Sequence, residues 1–244
     1  MSSRPVGTWQ VPGPGLAFLL PQRMLGTTLR QLTRFRWTTL DLNDWLPHGW
    51  QQDVLAAAAT ADIREFPRTP VLSRESPEVT HVVRGRVHAD QVIEHLPWLC
   101  KAYRNEFLEL AGEVSKEHVS AAQDDRYGVV LNVQRGSKMR FESHVDSNPL
   151  TGLLFCTDHE AGGELVVAHD ETAEGLAAVE RNCSVIRPYA GQLIFFDARR
   201  YPHYARVLTA ESDTRIVAVM NFYTESCPES TRPRELNSHL YGDE

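Results

Sequence analysis

From about residue 125 onward, short apolar-rich runs of β type alternate with polar turn residues. The runs cover 127–133, 138–144, 150–157, 163–168, 183–187, 192–196, 203–207 and 215–224. Alternating runs at roughly 8–12-residue spacing predict the strands of an all-β barrel or sandwich. Gly, Pro, Ser and Asn fill the gaps at 135–137, 147–149, 161–163 and 188–191 and mark them as turns. The polar stretch 170–182 leans helical and reads as a surface connection.

The first half has a different period. Residues 53–63 form an alanine-rich run that predicts a short helix, which Pro67 and Pro70 cannot continue. From Asp90, a plausible N-cap, Val92, Ile93, Leu96, Leu99, Tyr103, Phe107, Leu108 and Leu110 recur at helical spacing. Pro97 is expected to kink or divide this element, and Gly112 marks a natural end. The segment 34–40 reads as a half-buried strand and 78–88 as strand or loop. Residues 1–22, rich in Pro and Gly, read as an extended arm that Trp9 and Phe18 would anchor.

These patterns predict a mainly β fold with helical support. Its expected architecture is a double-stranded β-helix, a cupin-like jelly roll, with N-terminal helices packed on its outer face. The expected organisation is a single domain over 1–244, with an arm and helical support in 1–124. The β core would occupy 125–225, and 226–244 would form a tail or lid.

Composition narrows the function. The chain has 244 residues, 42% hydrophobic and 23% charged, with a formal net charge of −7. An acidic balance argues against nucleic acid as the main partner, because phosphate binding depends on a basic surface. Four cysteines without C-x-x-C spacing argue against a zinc-finger or disulfide framework. No secretory pattern opens the chain, and no run approaches the ~18–20 apolar residues of a membrane span. The expected setting is the cytoplasm, without a membrane partner.

Candidate chemistry begins at His144-Val145-Asp146. A His and an Asp two residues apart point to the same side of an extended strand. His203, arriving from a distant strand, would complete a two-His, one-carboxylate face that leaves positions open on an octahedral ion. That arrangement suits non-haem Fe(II) and O2 chemistry. Of the ten histidines, His159 and His169 also neighbour an Asp, but adjacent strand residues point to opposite faces. Those two and the rest read as structural. Arg215 opens the last apolar strand, and an antiparallel pairing beside His203 would carry its guanidinium into the barrel interior. A buried arginine calls for an anion, and a bidentate carboxylate is its natural partner. Fe(II), Asp146 and a dicarboxylate together carry a single negative charge, which Arg215 neutralises.

The ordered set His144-x-Asp146, Gly162-Gly163-Glu164-Leu165, Gly191-Gln192-Leu193-Ile194-Phe195-Phe196-Asp197, His203 and Arg215 resembles the Fe(II)/2-oxoglutarate-dependent oxygenases. The style is closest to the prolyl-hydroxylase and phytanoyl-hydroxylase-like branches, over about residues 125–225. The resemblance implies that His144, Asp146 and His203 bind Fe(II) and that Arg215 holds the distal carboxylate of 2-oxoglutarate. O2 would take the remaining position, and succinate and CO2 would be released. A carboxylate at Asp146 matches the hydroxylases and not the halogenases, which lack it. Many relatives carry Ser or Thr two residues after the arginine, where this chain has Val217. A second 2-oxoglutarate contact would then come from Tyr127, Asn132 or Gln134. Arg140, Phe141, Arg199, Arg200 and Tyr204 flank the expected mouth and are candidate substrate contacts.

The function expected is hydroxylation of an unactivated C–H bond in a small molecule, an amino acid or a specialised-metabolite intermediate. A peptidyl, prolyl-type hydroxylase is the alternative within enzymes. A non-redox, cupin-like metal or small-molecule binding protein is the alternative from another class.

Overall fold

The computed structural model describes residues 37–115, 117–159 and 161–241. The expected N-terminal arm, and the first residues of the strand expected over 34–40, lie outside the described residues. The strands are β1 (Trp37–Asp41), β2 (Asp62–Pro67), β3 (His81–Val87), β4 (Val119–Ala121), β5 (Val129–Arg135), β6 (Leu150–Phe155), β7 (Leu165–Ala168), β8 (Cys183–Ile186), β9 (Gln192–Phe196), β10 (His203–Ala205) and β11 (Thr214–Thr224). The helices are α1 (Trp50–Ala58), α2 (Ala89–His95), α3 (Pro97–Arg104), α4 (Glu106–Val114), α5 (Asp125–Gly128), α6 (Leu176–Arg181) and α7 (Glu235–Tyr241). No described helix is long and apolar enough to cross a membrane.

The large sheet runs β1-β9-β6-β11-β5-β3-β2, with β4 also pairing β11, and the small sheet runs β10-β7-β8. Every pairing is antiparallel. Alternation along β11 explains the layering. Ile216, Ala218, Met220 and Phe222 face one way, joining Val54, Leu99, Tyr103 and Phe107 from α1, α3 and α4 in a single core. Val217, facing the other way, packs with Phe155, Ile194 and Phe196 against Leu165, Val167 and Ile186 of the small sheet. Burying each such side chain contributes about 1.5–3 kcal/mol. Two facing antiparallel sheets with helices on one outer face make the expected double-stranded β-helix.

The support half contributes more than helices, since β1 to β4 extend the large sheet. Pro97 divides the long helical pattern as expected, but α4 passes Gly112 and ends at Val114. Asp90 lies in the first turn of α2, not at its N-cap, which is His88. There its carboxylate faces the helix dipole favourably. The alanine-rich helix stops at Ala58, and Asp62 and Ile63 belong to β2, where pairing with β3 overrides local propensity.

Two expected strands also change. Asp124 caps α5 by accepting a hydrogen bond from Arg126 N at 3.1 Å, so Tyr127 sits on a helical turn and β5 starts at Val129. Residues 138–144 form no strand. Their backbone groups go instead to scattered partners: Arg140 N donates to Val83 O at 3.2 Å, and Ser143 N donates to the Glu75 carboxylate at 2.6 Å. A segment whose amides are used one by one in this way cannot join a ladder.

Candidate active site

His144 bridges β10 without belonging to a strand. Its N–H donates to His203 O at 3.0 Å, and His203 N–H donates to His144 O at 2.9 Å. Asp146 N–H donates to Ala198 O at 2.9 Å. These three bonds clamp the two segments that carry the candidate ligands together across 56 residues of intervening chain (147–202). One ligand atom from each of His144, Asp146 and His203 lies within 4.8 Å of the others.

The orientation of each ligand is settled locally. His144 Nδ1 donates to Glu142 O at 2.7 Å, and His203 Nδ1 donates to Tyr201 O at 3.0 Å. A carbonyl can only accept, so the proton sits on Nδ1 and Nε2 is left to face Asp146. Those Nε2 atoms lie 3.3 Å and 3.8 Å from Asp146 Oδ1. The other carboxylate oxygen, Oδ2, accepts from Thr151 Oγ1 at 2.6 Å, and Thr151 in turn accepts from Asn148 Nδ2 at 2.8 Å. The Phe196 ring meets His203 edge-on, with centroids 5.0 Å apart. Two imidazoles with Nδ1 fixed on a carbonyl, each able to give up its Nε2 position to a metal, and a held carboxylate are what a divalent metal needs.

Electrostatics separates the two imidazoles. Burial disfavours the charged form of His144, but the hydrogen bond and charge of Asp146 outweigh it and raise the pKa. Burial, reinforced by His144, brings His203 down to about 4. Burial also opposes ionisation of Asp146, yet its two histidine neighbours hold its pKa below the ordinary value.

Arg215 lies in the same cavity, whose wall includes Leu153, Leu165 and Val217. It is 3% exposed, and Nη1 donates to Gln134 Oε1 at 3.1 Å. Its Nε is buried without a hydrogen-bond partner, and among the described residues no carboxylate pairs with it. Desolvation lowers its pKa to about 10. A buried cation with a neutral partner and an orphaned donor is a site waiting for an anion.

The candidate second contacts separate clearly. Gln134 is committed to Arg215, and its amide nitrogen donates to Met139 O at 3.1 Å and Arg206 O at 3.0 Å. Tyr127 packs with Tyr223, Leu236 and Leu240, its ring 3.6 Å from the Arg232 guanidinium. Asn132, paired in register with Val217, lines the cavity.

Of the residues expected at the mouth, Phe141 and Tyr204 line the cavity. The Tyr204 hydroxyl donates to Glu180, however, and burial pushes its pKa up to about 12. Arg140 pairs with buried Glu75. Arg199 donates to Ser147 O at 2.6 Å, and Arg200 pairs with Glu171 at 2.6 Å on the exposed surface. His169 is held by Asn182 and Ser184. Thr151 and Asn148 escaped the sequence reading, as did Arg84 and Arg86. The period-2 spacing of the two arginines was the only available signal.

The sequence matches no family model and no curated protein. Solved structures do match. AviO1 from Streptomyces viridochromogenes Tue57 aligns with a TM-score of 0.57 at 18% identity, over 85% of this chain and 97% of that one. A prolyl hydroxylase from Trichoplax adhaerens, solved with a hypoxia inducible factor peptide, aligns with a TM-score of 0.54 at 13% identity, over 86% and 94%. The non-heme alpha ketoglutarate dependent epimerase SnoN from nogalamycin biosynthesis gives 0.54 at 14%, over 86% and 84%. At these identities the likeness establishes a shared fold, the double-stranded β-helix.

Proposed function

We propose that this chain is an Fe(II)/2-oxoglutarate-dependent dioxygenase that hydroxylates an unactivated C–H bond of a small molecule. One observation carries the reading. The His144, Asp146 and His203 candidate ligand atoms share a cavity with a buried guanidinium that has no carboxylate partner among the described residues.

The residues present fit both groups. His144 Nε2, His203 Nε2 and an Asp146 oxygen would hold the metal, and Arg215 would hold the distal carboxylate of 2-oxoglutarate, with Asn132 as the second polar contact. When bound, Fe(II) and 2-oxoglutarate supply oxidation of a C–H bond by O2, coupled to conversion of the keto acid to succinate and CO2. The chain orients and shields. Thr151 aims Asp146, the Tyr201 and Glu142 carbonyls aim the imidazoles, and Gln134 presents Arg215. Leu153, Leu165 and Val217 wall the cavity with apolar surface that excludes water. A small substrate fits better than a peptide because Leu236 and Leu240 of α7 line the adjoining cavity.

Anaerobic addition of Fe(II) and 2-oxoglutarate should produce a weak visible charge-transfer band, and aerobic incubation should release succinate without added substrate. A wild-type protein that shows neither is not this enzyme.

A further inference from the structure

The sequence reads His159 as structural, but a structural histidine commits its ring nitrogens to neighbours, as His169 does to Asn182 and Ser184. In half-buried His159, both Nδ1 and Nε2 are enclosed without a hydrogen-bond partner. Buried polar atoms in folded proteins are nearly always paired, so such an exception calls for a reason.

Its position supplies one. A Cβ placed on Gly163 would stand 2.5 Å from His159 Nε2 and 2.9 Å from Arg215 Cδ, so the two side chains converge on that glycine. Gly163 leads into β7, whose Leu165 lines the same cavity as Arg215. Arg215 Cδ carries Nε, itself buried and unpartnered. Two polar side chains from separate segments therefore leave nitrogens open at one end of the cavity.

Charge decides what could join them. Burial first, and the Arg215 guanidinium second, lower the His159 pKa, while Asp213, the Asp158 backbone and Glu164 act in the opposite direction. Neither Asp213 nor Glu164 hydrogen-bonds the ring. A histidine held below its ordinary value is neutral at neutral pH and keeps one N–H and one lone pair. Beside a cation, it adds a donor without adding a second positive charge. A carboxylate has about four acceptor positions on its two oxygens, enough for a guanidinium and an imidazole N–H together. Other donors are scarce there: Val217 has no hydroxyl, and the Gln134 amide nitrogen is committed to Met139 O and Arg206 O.

We infer that His159 donates through Nε2 to the anion held at Arg215 and closes the end of that site beside Gly163. Arg215 supplies the charge, and His159 and Asn132 supply neutral contacts, a set that suits the terminal carboxylate of a short dicarboxylate. Naming that carboxylate as the distal one of 2-oxoglutarate rests on the oxygenase reading; the anion site itself does not.

Two calorimetric titrations test this: 2-oxoglutarate into protein loaded with Mn(II), and glutarate, which lacks the keto group, into metal-free protein. His159→Leu should weaken both by about tenfold, the loss expected when a hydrogen bond to a charged group is removed. His159→Gln, which can place an amide N–H near the Nε2 position, should recover most of that loss. Mn(II) affinity without a keto acid should be unchanged in both variants, because the ring lies at the Arg215 end of the cavity. A ring that only packed on Gly163 would not give this ranking. Equal affinity in wild type and His159→Leu, no recovery in His159→Gln, failure of both variants to fold, or absence of dicarboxylate binding by wild type overturns the inference. The charge-transfer band separates the two readings. Glutarate binding that depends on His159, without a band, retires the oxygenase and keeps the site, and a band with unchanged affinity in His159→Leu does the reverse.

Discussion

Asp146 owes its orientation to a hydroxyl. Its Oδ2 accepts from Thr151, leaving Oδ1 to face both imidazoles. Groups that orient a ligand typically account for 10–100-fold in metal affinity. Thr151→Val keeps the shape and removes the donor, so Fe(II) or Mn(II) affinity should fall by roughly 10–100-fold while the fold is kept. An anaerobic metal titration checks this, and equal affinities would mean that Asp146 holds its position without Thr151. Thr151 was not visible in advance because its partner is set by the 147–149 turn, where Asn148 is fixed between Leu150 O and Thr151. By contrast, His144 and Asp146 were visible, since a spacing of two residues is local information.

At the scale of elements, β11 divides the molecule: alternate positions supply the helix-backed core and the site. The turn before β7 matters as much. Gly162 and Gly163 have φ of +84° and +69°, a region that suits glycine. A Cβ on Gly163 would stand 2.5 Å from His159 Nε2 and 2.9 Å from Arg215 Cδ. Gly163→Ala should therefore cost about 1–3 kcal/mol of stability and displace Arg215. The expected readouts are a Tm lower by several degrees and a weaker 2-oxoglutarate titration of the charge-transfer band. An unchanged Tm and titration would show that the turn relaxes freely. Most strands of the core were legible because short apolar, β-branched and aromatic runs stand between Gly, Pro and Asn turn signals. The 138–144 run reads as a strand as well, but its amides serve Val83, Glu75 and His203 separately, and no local pattern announces that.

For the molecule as a whole, binding should appear as stability. A ligand pair held at about a hundredfold over its dissociation constant adds about 2.7 kcal/mol. For a cooperative unit of 150–250 residues that raises Tm by roughly 5–10 °C. Mn(II) with 2-oxoglutarate, without turnover, should produce such a rise in wild type and not in Asp146→Ala. A similar rise in both proteins would place the metal elsewhere.

The chain by itself determined the succession of β runs and turns, the two-residue spacing of His144 and Asp146, and the place of His203 and Arg215 on apolar strands. These follow from short-range periodicity and from residue types whose chemistry is distinctive. That His144 and Asp146 lie outside any strand, and that the Arg215 strand sits in the opposite sheet from the His203 strand instead of pairing beside it, the tertiary structure decided. Tertiary structure alone decided that Gln134 serves Arg215, that Tyr127 packs under Arg232, and that Arg84 and Arg86 share a cavity with His144 and Asp146. Each of those facts depends on which strand lies beside which. The pairing of Arg86 with Asn132 joins segments that no local pattern connects, and the cavity they line exists only once they meet.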